Sequence, residues 1–217
     1  MEYIKLSNPS LIPNLAERTA EALRWFSQTP PPPEDDIRPT SKHMIGPVGS
    51  GLIRHSFFKN HTAPLHFSSV DALERYMNRV RRCLRFFHSL IHGILLYLTS
   101  ALFVQGRKLL SGLATDPAKP VRIVGESLIF TQSDMHISNF GVDKWDNAVL
   151  MDFAEIGRLP LSFAKFTMMK THDSFVTSVT NLLCWPASSN IRSMASVSSC
   201  LWMVSDPKLG AGMFCVF

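Results

Sequence analysis

Charge and cysteine are both scarce in this chain. Charged residues make up 18% of its 217 residues, against 46% hydrophobic. A disordered polyelectrolyte is excluded, because such chains lack the apolar surface to fold and this one has it. Only four cysteines occur, Cys83, Cys184, Cys200 and Cys215. None forms C-x-x-C and none stands at zinc-finger spacing from histidine, so a disulfide scaffold or zinc module is not expected. Four buried free thiols are the expectation. The first eleven residues lack a basic stretch followed by an apolar core, the pattern of a secretory signal. A reducing, cytoplasmic setting is therefore expected.

An even basic excess is missing too. The formal charge is +5, from 22 Lys and Arg against 17 Asp and Glu. Residues 81–122 hold Arg81, Arg82, Arg85, Arg107, Lys108, Lys119 and Arg122 but only one acid, Asp116. The rest of the chain is close to neutral. A nucleic-acid partner is not expected, since phosphate tracking needs an exposed basic face and this basic stretch is apolar inside.

What is present is helix first. Leu15, Thr19, Ala22, Leu23 and Phe26 recur at spacings of three and four, which predicts an amphipathic helix over 13–28. Pro30 to Pro33 ends it, because proline has no amide hydrogen and restricts the residue before it. Residues 29–52 read as a long loop containing Gly46, Gly49 and Gly51. Their order is not G-x-G-x-x-G and no Lys-Ser or Lys-Thr follows, so a flexible turn is expected rather than a phosphate cradle. A second helix is predicted over 69–80. Val70, Leu73, Met77 and Val80 form its stripe, and Ser68 with Asp71 resembles a capping box.

The run FFHSLIHGILLYLTSALFV, residues 86–104, is nearly continuous apolar sequence. As a helix it would extend roughly 28 Å, close to a bilayer core. Two readings stand, a buried helix and a membrane span that would make the protein membrane-associated. His88 and His92 share a face at i, i+4 but lack further ligands for a metal. β-structure is predicted over 121–131 and 140–153, with a turn at Asp143 to Asn147. Residues 160–203 read as mainly helical, with Phe163, Phe166, Phe175, Val179, Leu182, Leu183, Met194 and Leu201 as core. Residues 204–217 read as an irregular end.

Between the β segments lies FTQSDMHISNF, with Asp134 and Asn139 five apart on a loop. Asp152 follows thirteen residues later, after a short apolar strand. Two carboxylates and an amide around a hairpin suit phosphoryl transfer. One carboxylate orients an attacking hydroxyl and accepts its proton, while the amide oxygen and the other carboxylate hold Mg²⁺. Chance is the competing explanation for Asp-x₄-Asn, since such residues often just stabilise turns. Asp152 at the end of an apolar strand makes chance less attractive, because a charge there needs a partner.

The stretch FTQSDMHISNFGVDKWDNAVLMDFAEIG resembles the catalytic loop and metal-binding segment of the aminoglycoside phosphotransferase family, which has a protein-kinase-like fold. The family loop reads H-G-D-x-H-x-x-N, followed by a hairpin and an Asp-aromatic pair. The resemblance implies Asp134 as the catalytic base, Asn139 and Asp152 as the Mg²⁺ and nucleotide ligands, His136 as the loop histidine and Phe153 as the paired aromatic. It implies ATP and Mg²⁺ as cofactors and a small-molecule hydroxyl as acceptor. LRWF near the start and GPVGSGLIRHSFF are similar to fungal members of unassigned substrate.

The resemblance covers 121–205 well and 15–80 weakly. Gln132 stands where the family has histidine. A strand-rich, lysine-bearing N-lobe is not seen before residue 69. The expectation is one α+β domain over 1–217, a kinase-like C-lobe without a complete N-lobe, mainly helical with a small β-hairpin region. Residues 81–120 interrupt it, either as an insertion or as translated non-coding sequence. Two functional expectations follow, a phosphotransferase and a non-catalytic C-lobe remnant acting as a binding module.

Overall fold

The computed structural model describes residues 12–30, 45–47, 51–82, 119–145, 147–170 and 173–204. Over these the protein is α+β. Helix α1 is Leu15–Gln28, and α2 occupies 70–82. Four short strands follow, β1 (Leu128–Gln132), β2 (Phe140–Val142), β3 (Ala148–Leu150) and β4 (Ile156–Pro160). Helices α3 (Leu161–Lys170), α4 (Ser174–Leu183) and α5 (Ile191–Met203) complete the order. The apolar segment 86–104, its histidines, Cys83 and Cys215 lie outside the described residues. Among the described residues no helix is long and apolar enough to cross a membrane.

The strands form two antiparallel pairs. β1 pairs with β4, with Leu128 opposite Pro160 and Gln132 opposite Ile156. β2 pairs with β3, with Phe140 opposite Leu150. The β2–β3 turn is closed by Asp143, whose Oδ1 accepts from the amides of Trp145 at 2.9 Å and Asn147 at 2.8 Å. Bonds from the Asn147 side chain, and then from its amide, hold the Asp143 carboxyl below its usual range.

Several expectations need correction. Residues 121–124 are not a strand. Val121 and Ile123 are fully buried, but their backbone is satisfied by side chains of α2. Asn78 binds both the amide and the carbonyl of Val121, and Glu74 Oε2 accepts from the amides of Ile123 and Val124. The partner of β1 is instead IGRLP, a strand whose proline and glycine hide its β character. The cap of α2 is Ser69 rather than Ser68, since Ser69 Oγ accepts from the Ala72 amide at 3.1 Å.

Gly46 is not a free turn. Its amide and carbonyl bond the Arg158 backbone, both at 2.9 Å, adding a bridge to the outer edge of β4. Cys184 is exposed and caps α4 in a left-handed conformation, so not all the thiols are buried. Leu182 likewise faces outward.

Two apolar clusters hold the elements. The larger joins Phe57, Phe58, Leu73, Met77, Val80, Leu159, Phe163, Met194 and Leu201, all essentially inaccessible. Its stripe on α2 is the one the spacing predicts. The smaller joins Leu15 and Leu23 of α1 to Phe175, Val176, Val179 and Leu183 of α4. Met135 and Phe140 also belong to it, so the loop carrying Asp134 is pinned from beneath. Burying side chains of this size stabilises by about 1.5–3 kcal/mol each before entropy is counted.

Candidate active site

The residues singled out from sequence fall on two neighbouring loops. Asp134 lies on 133–136, between β1 and a single turn of 3₁₀ helix, Ile137–Asn139. Asp152 lies on 151–155, between β3 and β4. Each strand pair is prolonged into these loops by one more backbone bond. The Ser133 amide donates to the Glu155 carbonyl at 3.2 Å, and the Met151 amide donates to the Asn139 carbonyl at 3.0 Å. The two loops are thus stitched at both ends, which brings Asp134, Asn139 and Asp152 to one end of the paired strands.

Local bonds fix each side chain. Asp134 Oδ1 accepts from the His136 amide at 3.2 Å, and Asp152 Oδ1 accepts from the Ala154 amide at 2.8 Å. Both are turns in which an aspartate binds the backbone two residues on. Asn139 is buried, and its Nδ2 donates to the Asp134 carbonyl at 3.2 Å. His136 is exposed and caps the 3₁₀ turn through Nδ1, which accepts from the Ser138 amide. Phe153 is 64% exposed, so it does not pack beneath the loop. Asp152 is itself exposed.

The N-terminal half also braces this loop. The Ser56 amide donates to the buried Ser133 Oγ at 2.7 Å. His61 Nδ1 meets Glu155 Oε1 at 2.5 Å, and the Lys170 ammonium donates to the Ser56 carbonyl at 2.7 Å. The Lys170 pKa lies below its ordinary value because burial disfavours the charged form. Nearby His55 is fully buried with its pKa lowered to about 3, chiefly by desolvation, and is a neutral core group.

Gln132 is the residue whose part the sequence concealed. It ends β1, is 3% exposed, and its Nε2 donates to the Asp152 carbonyl at 2.8 Å. Its Oε1 is buried with no partner. Leaving such an acceptor unsatisfied costs roughly 1–3 kcal/mol. From sequence it registers only as a departure from the histidine of the resembling family, and no local pattern announces a bond that spans twenty residues.

Among the described residues no three of His, Cys, Asp and Glu cluster as a metal site. The donors on these loops are an amide oxygen and carboxylates, which are hard oxygen ligands. Mg²⁺ is commonly held by one or two such groups, with substrate phosphates and water completing the octahedron. Asn139 and Asp152 fit that mode. Comparison with protein-family models, with curated proteins and with solved structures gives no match to this chain.

Proposed function

We propose that this protein is a phosphotransferase of the kinase-like class, moving the γ-phosphoryl group of ATP to a small-molecule hydroxyl. The observation that carries this reading is the stitching of the Asp134–Asn139 loop to the Asp152 loop through Met151, Glu155 and Gln132. The order of the residues and their resemblance to the aminoglycoside phosphotransferase loop support the same reading.

In this reading Asp134 receives the acceptor hydroxyl and takes its proton as the oxygen attacks the γ-phosphorus, whose bond to the β,γ-bridging oxygen breaks to release ADP. Its Oδ1 is steadied by the His136 amide, which leaves Oδ2 for the hydroxyl. Asn139 and Asp152 would hold the Mg²⁺, with Asn139 oriented because its Nδ2 is committed to the Asp134 carbonyl. Bound Mg²⁺ would neutralise charge on the phosphate oxygens. The contribution of the chain is positioning and electrostatics, which supply most of the catalysis in this chemistry.

The test is calorimetric titration of Mg²⁺–ATP into the full chain, with D152A and D134A beside it. D152A is expected to abolish binding, and D134A to bind but not transfer phosphate. Failure of the parent chain to bind Mg²⁺–ATP at millimolar concentration would refute the reading.

A second reading, a binding module without turnover, has its own support. Both aspartates already satisfy local turns, and Gly46 is consumed in pairing with Arg158. ATP-dependent phosphorylation by the purified chain would eliminate it.

A further inference from the structure

We propose that Gln132 is a positioning residue for the metal ligand Asp152, kept in spite of its effect on stability. The inference rests on the phosphotransferase reading and adds a residue to it.

Gln132 sits at the end of β1, opposite Ile156 on β4, so its backbone is fixed by the ladder. Its side chain crosses to the loop between β3 and β4 and donates to the Asp152 carbonyl at 2.8 Å. That carbonyl belongs to the residue whose carboxylate would ligate the cation. On the far side of the same residue, the Ala154 amide holds Oδ1. Asp152 is thereby held by bonds at its carbonyl and at its carboxylate. It is an exposed residue in a segment of irregular backbone.

The other end of the amide is the informative one. Oε1 is buried and unpartnered, so a glutamine here is a poor choice for core stability alone. An apolar side chain of similar shape would remove the orphan Oε1 and leave the Asp152 carbonyl without its donor. If Gln132 were only filling space, methionine should leave the metal site unchanged. If it orients Asp152, methionine should preserve the fold and weaken the metal site. Outer-sphere partners of metal ligands typically change affinity 10–100-fold when removed.

The experiment uses the full chain and Mn²⁺, a paramagnetic stand-in for Mg²⁺, with ATP present. Free Mn²⁺ is followed by electron paramagnetic resonance, which needs no turnover. Four proteins are compared, the parent, D152A, Q132M and Q132L, with thermal unfolding run on each. Q132M is expected to stay folded while binding Mn²⁺ 10–100-fold more weakly. Q132L removes the same donor with a shorter apolar side chain and is expected to lose affinity over the same range.

A folded Q132M protein that binds Mn²⁺ as tightly as the parent would overturn the proposal and leave the phosphotransferase reading standing. If Q132M fails to fold, Q132L decides, and a folded Q132L that binds as tightly as the parent would overturn it. If the parent itself binds no Mn²⁺–ATP, the phosphotransferase reading falls and this proposal with it.

Discussion

Acid should unfold this protein through His55. The imidazole is fully inaccessible, between the Phe163 ring, with centroids 5.1 Å apart, and Phe166. Its Nδ1 accepts from the Phe57 amide at 2.9 Å, so Nε2 carries the proton. That nitrogen faces the Phe163 carbonyl at 3.3 Å and Thr167 Oγ1 at 3.0 Å. Protonating Nδ1 would set it against the Phe57 donor in a desolvated site. Burial is the largest cause of its low pKa. The Phe163 carbonyl opposes the shift, and Lys170 and His61 add to it.

The pKa falls from 6.5 in the unfolded chain to about 3 in the fold. Between those values the unfolded chain binds a proton that the fold refuses, so stability is complete above pH 6.5 and declines as pH falls. The slope is about 1.4 kcal/mol per pH unit, and the loss from pH 7 to 4.5 is about 2.5 kcal/mol. That is a large part of a total of about 5–15 kcal/mol for a domain. Urea unfolding of the parent and H55Q at pH 7, 5.5 and 4.5 measures it. H55Q should be less stable at pH 7, with the gap closing by about 2.5 kcal/mol at pH 4.5. A gap that stays constant over the three pH values would refute the assignment of the acid sensitivity to His55.

Two further perturbations test the packing that supports the site. A Cβ on Gly157 would stand 2.9 Å from the Gly46 carbonyl carbon and oxygen, backbone that has no room to yield. G157A should destabilise by about 1–3 kcal/mol, seen as a lower urea midpoint. Asn190 binds the amide and carbonyl of Arg122, Glu126 Oε1 and Ser162 Oγ from a buried position. N190A strands those groups and should cost about 2–3 kcal/mol, with amide exchange at Arg122 rising before global unfolding.

The helices were legible because their periodicity survives in the fold. Leu73, Met77 and Val80 are all buried, and α1 begins and ends within two residues of its predicted bounds. The Asp143 to Asn147 turn was legible because its chemistry is local, one carboxylate binding amides two and four residues on. The strand Ile156–Pro160 was not, because a short strand with glycine and proline earns its state from its partners. Val121 to Val124 misled for the opposite reason. An apolar β-branched run was given its hydrogen bonds by Asn78 and Glu74, some 43 to 50 residues away.

The candidate site divides the same way. Asp134, Asn139 and Asp152 were picked out by residue type and spacing, which the chain alone carries. Their chemical expectation, oxygen ligands and a proton acceptor around a hairpin, needed nothing further. Only the tertiary structure decided that the two loops are sewn together, that Gly46 belongs to the edge of β4, and that His55 is a sealed neutral base. It also decided that Gln132 spends its amide on the Asp152 carbonyl. These outcomes depend on long-range hydrogen bonds and on desolvation, and both are set by which surfaces meet when the chain closes, not by neighbours in sequence.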